Sequence, residues 1–197
     1  MSDIIAIVLA AGRASRFGGP QTKVLALYEG ETLVRRAAKA ALEAGLKTVV
    51  VCGYQADLVR AALADLPVSA LENKGFEAGM STSLRAGLKG AEDADAAVIL
   101  LADMPRVDAA LIRPLCNAFL ANPEVDAVVP VYNGLRGNPV VLARRLFAGV
   151  EQLSGDQGAR KLLSASNAVL EVPVDRDAVS FDVDTVDALE AGATNLS

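Results

Sequence analysis

Apolar residues along this chain follow two alternating rhythms. Four runs, Ile4 to Ala10, Thr48 to Cys52, Ala97 to Leu101 and Asp126 to Val131, are apolar and β-branched at nearly every position and end in charge, glycine or a polar residue. That is the pattern of strands buried on both faces. Between them, Thr32 to Ala44, Gln55 to Ala64, Gly79 to Leu88 and Val107 to Leu120 place apolar residues three and four apart, which predicts helices with one buried stripe. A further short strand is predicted near Val68 to Leu71. Strand and helix alternate, so the expected fold class is α/β, a doubly wound and mainly parallel sheet with helices on both faces. The alternation breaks between Tyr132 and Arg144, where GLRGNP leads into VVLA; one added antiparallel strand is expected there. No repeat, low-complexity tract or linker interrupts the pattern, which predicts a single domain over residues 1–197.

Composition narrows the function. The apolar fraction is 52%, but it is divided into runs of about five to eight residues, far short of the roughly 20 that cross a bilayer. Asp3 and the lack of a basic segment before the first run argue against a signal peptide, so the expected location is the cytoplasm, with no membrane partner. There is no histidine, which excludes a Ser-His-Asp triad, a Cys-His dyad and a His-ligated zinc. Cys52 closes one strand and Cys116 sits in a helical stretch; both read as buried thiols. A net charge of −5 with few aromatics argues against a nucleic-acid platform. The partner should be small.

In such sheets, ligands gather beyond the carboxyl ends of the strands. The first strand opens into AGRASRFGGPQTK, which carries Arg13, Arg16 and Lys23 with three glycines and no acid. Small residues, exposed N–H groups and local positive charge suit a phosphate. The loop is neither a P-loop, because Gln21 and Thr22 precede Lys23, nor a G-x-G-x-x-G fingerprint, because its glycines stand at Gly12, Gly18 and Gly19. Asp103 follows the strand AAVILLA and places a carboxylate at the same edge, where magnesium would be held jointly with substrate phosphates. Asp108 is the better N-cap for the next helix. Asp182 and Asp184, in FDVDT, are spaced like further metal ligands, although Asp184 is equally placed to cap the helix TVDALEA. Gly75 to Ser81 suits either a mobile lid or a fixed base-binding turn.

LAAGRASRFGGPQTK, ADMP after a strand, N-x-x-F-x-x-GMSTSLRAG from Asn73, RGNPV, GDQGAR and FDVDT occur in this order over nearly the whole chain. Together they resemble the nucleotidyltransferase family that finishes molybdenum cofactors, and within it the cytidylyltransferases. The resemblance implies a Rossmann-like fold that binds a nucleoside triphosphate with Mg2+ and transfers the nucleotidyl group to an acceptor phosphate, releasing pyrophosphate. It implies that Leu9, Ala10, Ala11 and Gly12 contact the base and ribose, that Arg16 and Lys23 hold the triphosphate, and that Asn73 and Ser83 fix the nucleoside. Asp103 with Asp182 or Asp184 would bind the metal. In these enzymes LAGG accompanies guanylyl transfer and LAAG cytidylyl transfer, and this chain has LAAG. A methyl group at Ala11 would crowd a purine more than a pyrimidine, so CTP is favoured, with the molybdenum cofactor as acceptor and a molybdoenzyme or its chaperone as recipient.

A phosphate monoester near pH 7 is already an anion, so the reaction needs positioning and charge neutralisation rather than a covalent nucleophile. Arg16, Lys23 and Asp103 are the expected catalytic residues. Three other readings fit the same loop: a redox or cofactor-handling enzyme, a non-catalytic carrier, and a nucleotidyltransferase with another phosphorylated acceptor.

Overall fold

The computed structural model describes residues 3–13, 22–164 and 166–183. In chain order the elements are β1 (Ile4–Ala10), β2 (Leu27–Tyr28), β3 (Glu31–Thr32), α1 (Leu33–Glu43), β4 (Lys47–Cys52), α2 (Ala56–Ala62), β5 (Ser69–Glu72) and α3 (Met80–Lys89). They continue with β6 (Ala96–Leu101), α4 (Ala109–Ala121), β7 (Ala127–Tyr132), β8 (Leu135–Arg136), β9 (Val140–Ala143), α5 (Ala159–Leu163) and β10 (Val169–Pro173). The main sheet runs β10-β7-β9-β6-β1-β4-β5, with β8 paired to β7. β5, β4, β1 and β6 are mutually parallel; β9 runs antiparallel to both β6 and β7, and β10 is parallel to β7. The expected doubly wound sheet with a reversed strand at VVLA is therefore present.

Side chains of a strand alternate between faces, and both faces here are covered. Ala6, Val8, Val50, Val98 and Leu100 pack with α1, α2 and α4, whereas Ile7, Val51, Ala97 and Ile99 pack with α3 and α5. This is why the strands read as continuous apolar runs without polar alternation. Among the described residues, no helix is long and apolar enough to cross a membrane. The sequence reading did not place the β2–β3 hairpin, α5, β10 or the 3-10 run Arg144–Gln152. β7 and β8 are joined by Asn133 and Gly134, both at positive φ, the geometry of a two-residue hairpin turn.

After β10 the chain crosses back over the carboxyl ends of the strands. Val174 N–H donates to the Val131 carbonyl, Asn138 N–H to that of Val179, and Val183 N–H to that of Asp103, at 2.9, 2.8 and 2.9 Å. Asp108 anchors this strap. Its carboxylate accepts the Leu111 N–H as the cap of α4 (2.9 Å) and receives Arg176 at both oxygens (2.8 and 2.7 Å). The Arg176 hydrogen bond, opposed by burial and supported by the Leu111 N–H, holds the Asp108 carboxyl below the usual carboxylate range.

Asp108→Ala should lower the melting temperature by about 2–4 °C, the loss of about 1 kcal/mol for the cap, with the strap released in addition. A depressed folded-state pKa contributes stability that is present above the unfolded value near 4 and is lost as the pH falls through the lower folded value. Thermal denaturation of wild type and variant from pH 7 downward should therefore show the gap narrowing below about pH 4.

Candidate active site

Backbone hydrogen bonds bring four strand ends to one place. The Ala11 carbonyl accepts from Tyr54 N–H, the Leu9 carbonyl from Ala102 N–H, and the Cys52 carbonyl from Asn73 N–H, at 3.1, 3.1 and 2.8 Å. The residues following β1, β4, β5 and β6 thus share an edge, and beyond it opens a cavity of about 500 Å³. Leu9, Ala10, Ala11 and Gly12 line it together with Val24 and Leu101; Arg13, Lys23 and Asp103 also line it, as do Phe76, Glu77, Gly79, Met80, Ser83 and Asp156.

The sequence-predicted residues meet here as follows. Lys23 Nζ donates to Asp103 Oδ2 at 2.7 Å, with side chains 11% and 25% exposed. An ammonium and a carboxylate thus stand side by side at the cavity, partly withdrawn from water. Val183 N–H donates to the Asp103 carbonyl, and Asp182, which precedes Val183, is exposed. Arg16 and Asp184 lie outside the described residues. Among the described residues, no group of three or more His, Cys, Asp or Glu is gathered to hold a metal by itself. The hard carboxylate of Asp103 fits a divalent cation whose remaining ligands come from phosphate and water.

Ser83 lines the cavity, but Asn73 stands behind it. Its amide donates to Thr82 Oγ1 (2.8 Å) and Ser83 Oγ (3.1 Å), and its carbonyl accepts the Gly75 N–H (3.0 Å). Asn73 therefore shapes the turn that carries Phe76, Met80 and Ser83. Ala11 is buried at 2% exposure. A Cβ built on Gly53 would fall 2.7 Å from the Ala11 methyl and equally close to Phe76 Cβ, so the residue 11 methyl is packed into the wall.

The far wall is built by close backbone contact. At Gly79 φ is +100°, and a Cβ there would lie 2.3 Å from the backbone of Gly155, whose carbonyl accepts the Ser81 N–H at 3.0 Å. This contact brings Asp156 to the cavity. The segment Gly75 to Ser81, expected as a lid or a base-binding turn, supplies Phe76, Glu77, Gly79 and Met80 to the lining. Sequence reasoning assigned no role to Asp156, because its approach depends on a loop docked from over 70 residues away along the chain; GDQGAR was the one local signal.

A larger cavity of about 760 Å³ lies between α1, residues 105–108 and residues 176–178. Its cations Arg36, Lys39, Arg106 and Arg176 are matched by Glu29, Glu31, Asp177 and Asp108. Size favours it, but the strand-end placement and the basic loop favour the smaller one, which we take as the site. Burial pushes the thiols of Cys52 and Cys116 up to about 11, so neither is a thiolate nucleophile near neutral pH.

The profile of the MobA-like NTP transferase domain matches residues 6–170. The molybdenum cofactor cytidylyltransferase of Escherichia coli strain K12 is 24% identical over 95% of this chain and 94% of its own length. The nicotine blue oxidoreductase of Paenarthrobacter nicotinovorans is 29% identical over 94% of each chain. Among solved structures, Rv0371c of Mycobacterium tuberculosis H37Rv in complex with manganese superposes with a TM-score of 0.80 at 30% identity, covering 96% of this chain and 97% of that one.

Gly79→Ala should be among the most damaging single-methyl additions in the molecule. It adds strain at a backbone conformation nearly restricted to glycine and overlaps the Gly155 backbone, at a combined cost of about 3 kcal/mol. Urea denaturation of the variant against wild type measures this directly.

Proposed function

The chain belongs to the MobA-like NTP transferase domain family and is a nucleotidyltransferase, and we propose that it transfers the cytidylyl group of CTP to the terminal phosphate of the molybdenum cofactor. The observation that carries this reading is the Lys23–Asp103 pair, 2.7 Å apart beside the Leu9–Gly12 backbone. A metal-bound triphosphate presents both a cation for the carboxylate and an anion for the ammonium.

In the proposed reaction an oxygen of the acceptor's terminal phosphate attacks the α-phosphorus of CTP. The new P–O bond forms as the bond to the β-phosphate oxygen breaks, and pyrophosphate leaves with the electron pair. Lys23, joined by Arg16, neutralises the charge growing on the leaving group. Asp103, with Asp182 or Asp184, would hold Mg2+, and the cation would supply charge neutralisation. Ser83 and the Leu9–Gly12 backbone seat the nucleoside, and Asn73 holds the Ser83 turn in place. Ala11, packed against Gly53 and Phe76, acts on the choice of base through the shape of that wall. The product would pass to a molybdoenzyme or its chaperone.

The similarity to the nicotine blue oxidoreductase favours a second reading, a redox enzyme on the same nucleotide fold. One assay separates them: pyrophosphate release with Mg2+ and each of CTP, GTP, ATP and UTP, with and without molybdenum-loaded molybdopterin. Release only with CTP and acceptor is expected. NADPH turnover with no pyrophosphate from any pair would establish the redox reading instead.

Asp103→Asn and Lys23→Ala should each reduce turnover by at least about 100-fold with a smaller change in the KM for nucleotide. Turnover within twofold of wild type in either variant, measured as pyrophosphate release, removes the role assigned to that residue.

A further inference from the structure

We infer that Gln55 and Thr22 form a clamp that positions Lys23 for the triphosphate, an inference that rests on the nucleotide-binding reading above. Thr22 is 1% exposed, immediately before Lys23. Its hydroxyl donates to the Gly12 carbonyl at 3.1 Å, so the residue that ends the basic loop is fastened to the one that begins it. Its N–H donates to Gln55 Oε1 at 2.8 Å, which fastens the same point to the loop after β4. Thr22 also starts the 3-10 turn Lys23–Leu25: Leu25 N–H donates to the Thr22 carbonyl and Ala26 N–H to that of Lys23, at 3.0 and 2.9 Å. The backbone of Lys23 is therefore held from both sides, and its ammonium is delivered to Asp103.

The conformation of Gln55 supports this independently. It adopts φ 54° and ψ 41°, the left-handed region where glycine is at ease and glutamine is strained. Backbone strain of this kind is retained where the side chain has a task. Here the side-chain carbonyl provides the acceptor for a buried N–H beside the catalytic lysine. Gln55 and Thr22 act through Lys23 and are positioning residues.

Gln55→Gly separates the two roles, because it relieves the strained φ while removing the acceptor. The clamp predicts a melting temperature within about 3 °C of wild type and a Kd for Mg·CTP, measured by calorimetric titration, raised about tenfold. In a Lys23→Ala background the same substitution should change Kd by less than about twofold, since its effect passes through the lysine. Thr22→Val should resemble Gln55→Gly in affinity, and Thr22→Ser should restore it. An unchanged Kd in Gln55→Gly, or a full effect that persists without Lys23, overturns the clamp, as does a loss of affinity that only parallels a loss of stability. Failure of wild-type protein to bind any nucleoside triphosphate would overturn the nucleotide reading and leave the clamp to a ligand-free measurement, the acetylation rate of Lys23 followed by mass spectrometry. That rate should rise at least about threefold in Gln55→Gly as the lysine loosens from Asp103; an unchanged rate refutes the clamp.

Discussion

Lys23 opens the 3-10 turn that follows the basic loop, Asp103 follows the end of β6, and their contact at 2.7 Å joins that loop to the centre of the sheet. Neither charge is fully hydrated, so each is stabilised chiefly while an opposite charge stands beside it. Separating them with nothing in between would cost each of these half-buried ions the opposite charge that stands beside it. A ligand that brings both signs at once can part them without that cost, and a ligand of one sign cannot. In the proposed reaction, that ligand is a metal-bound phosphate rather than a bare anion.

The sheet makes the pair possible. Parallel pairing of β1 with β4 and β6 sends the residues after each strand to a common edge, and the tied carbonyls of Leu9, Ala11 and Cys52 keep those ends in register. The strap over residues 174–183 then runs across this edge and reaches the backbone of Asp103 itself. Asp103 is thus held through its carboxylate by the lysine and through its backbone by its strand and the strap. Positioning of this kind matters most in reactions where the protein contributes geometry and charge and forms no covalent bond to the substrate.

How much of this was legible depended on the range of the contact. β1, β4, β6 and β7 were read within a residue or two, because strands buried on both faces must be apolar throughout, and α4 was found through its own cap at Asp108. β10 escaped because it is an edge strand with half-buried positions and a terminal proline. Residues 144–152 escaped because Gly149 interrupts a short amphipathic pattern that settles into 3-10 turns. Of the cavity lining, Leu9–Gly12 and Asp103 were legible as residues at strand ends and Lys23 as a cation of the basic loop. Asp156 was marked only by the motif GDQGAR, with no role attached, because its place in the site depends on a loop docked on Gly79; Gln55 was not marked for the site at all, because its role depends on one strained dihedral.

The two-residue turn at Asn133 and Gly134 bears on how such a fold can change. It closes β7 against β8 at the same end of the sheet as the ligand cavity; a Cβ on Gly134 would meet nothing within 4 Å, and Leu135 beside it is 71% exposed. The entropic cost of a longer loop grows only slowly with its length. Residues inserted here would extend the edge of the sheet that also carries the cavity, two strands away from β6, while leaving the register of β6 and the Lys23–Asp103 contact intact. The fold therefore contains a point of growth at which the ligand edge of the sheet can diversify without disturbing the strands that carry the site.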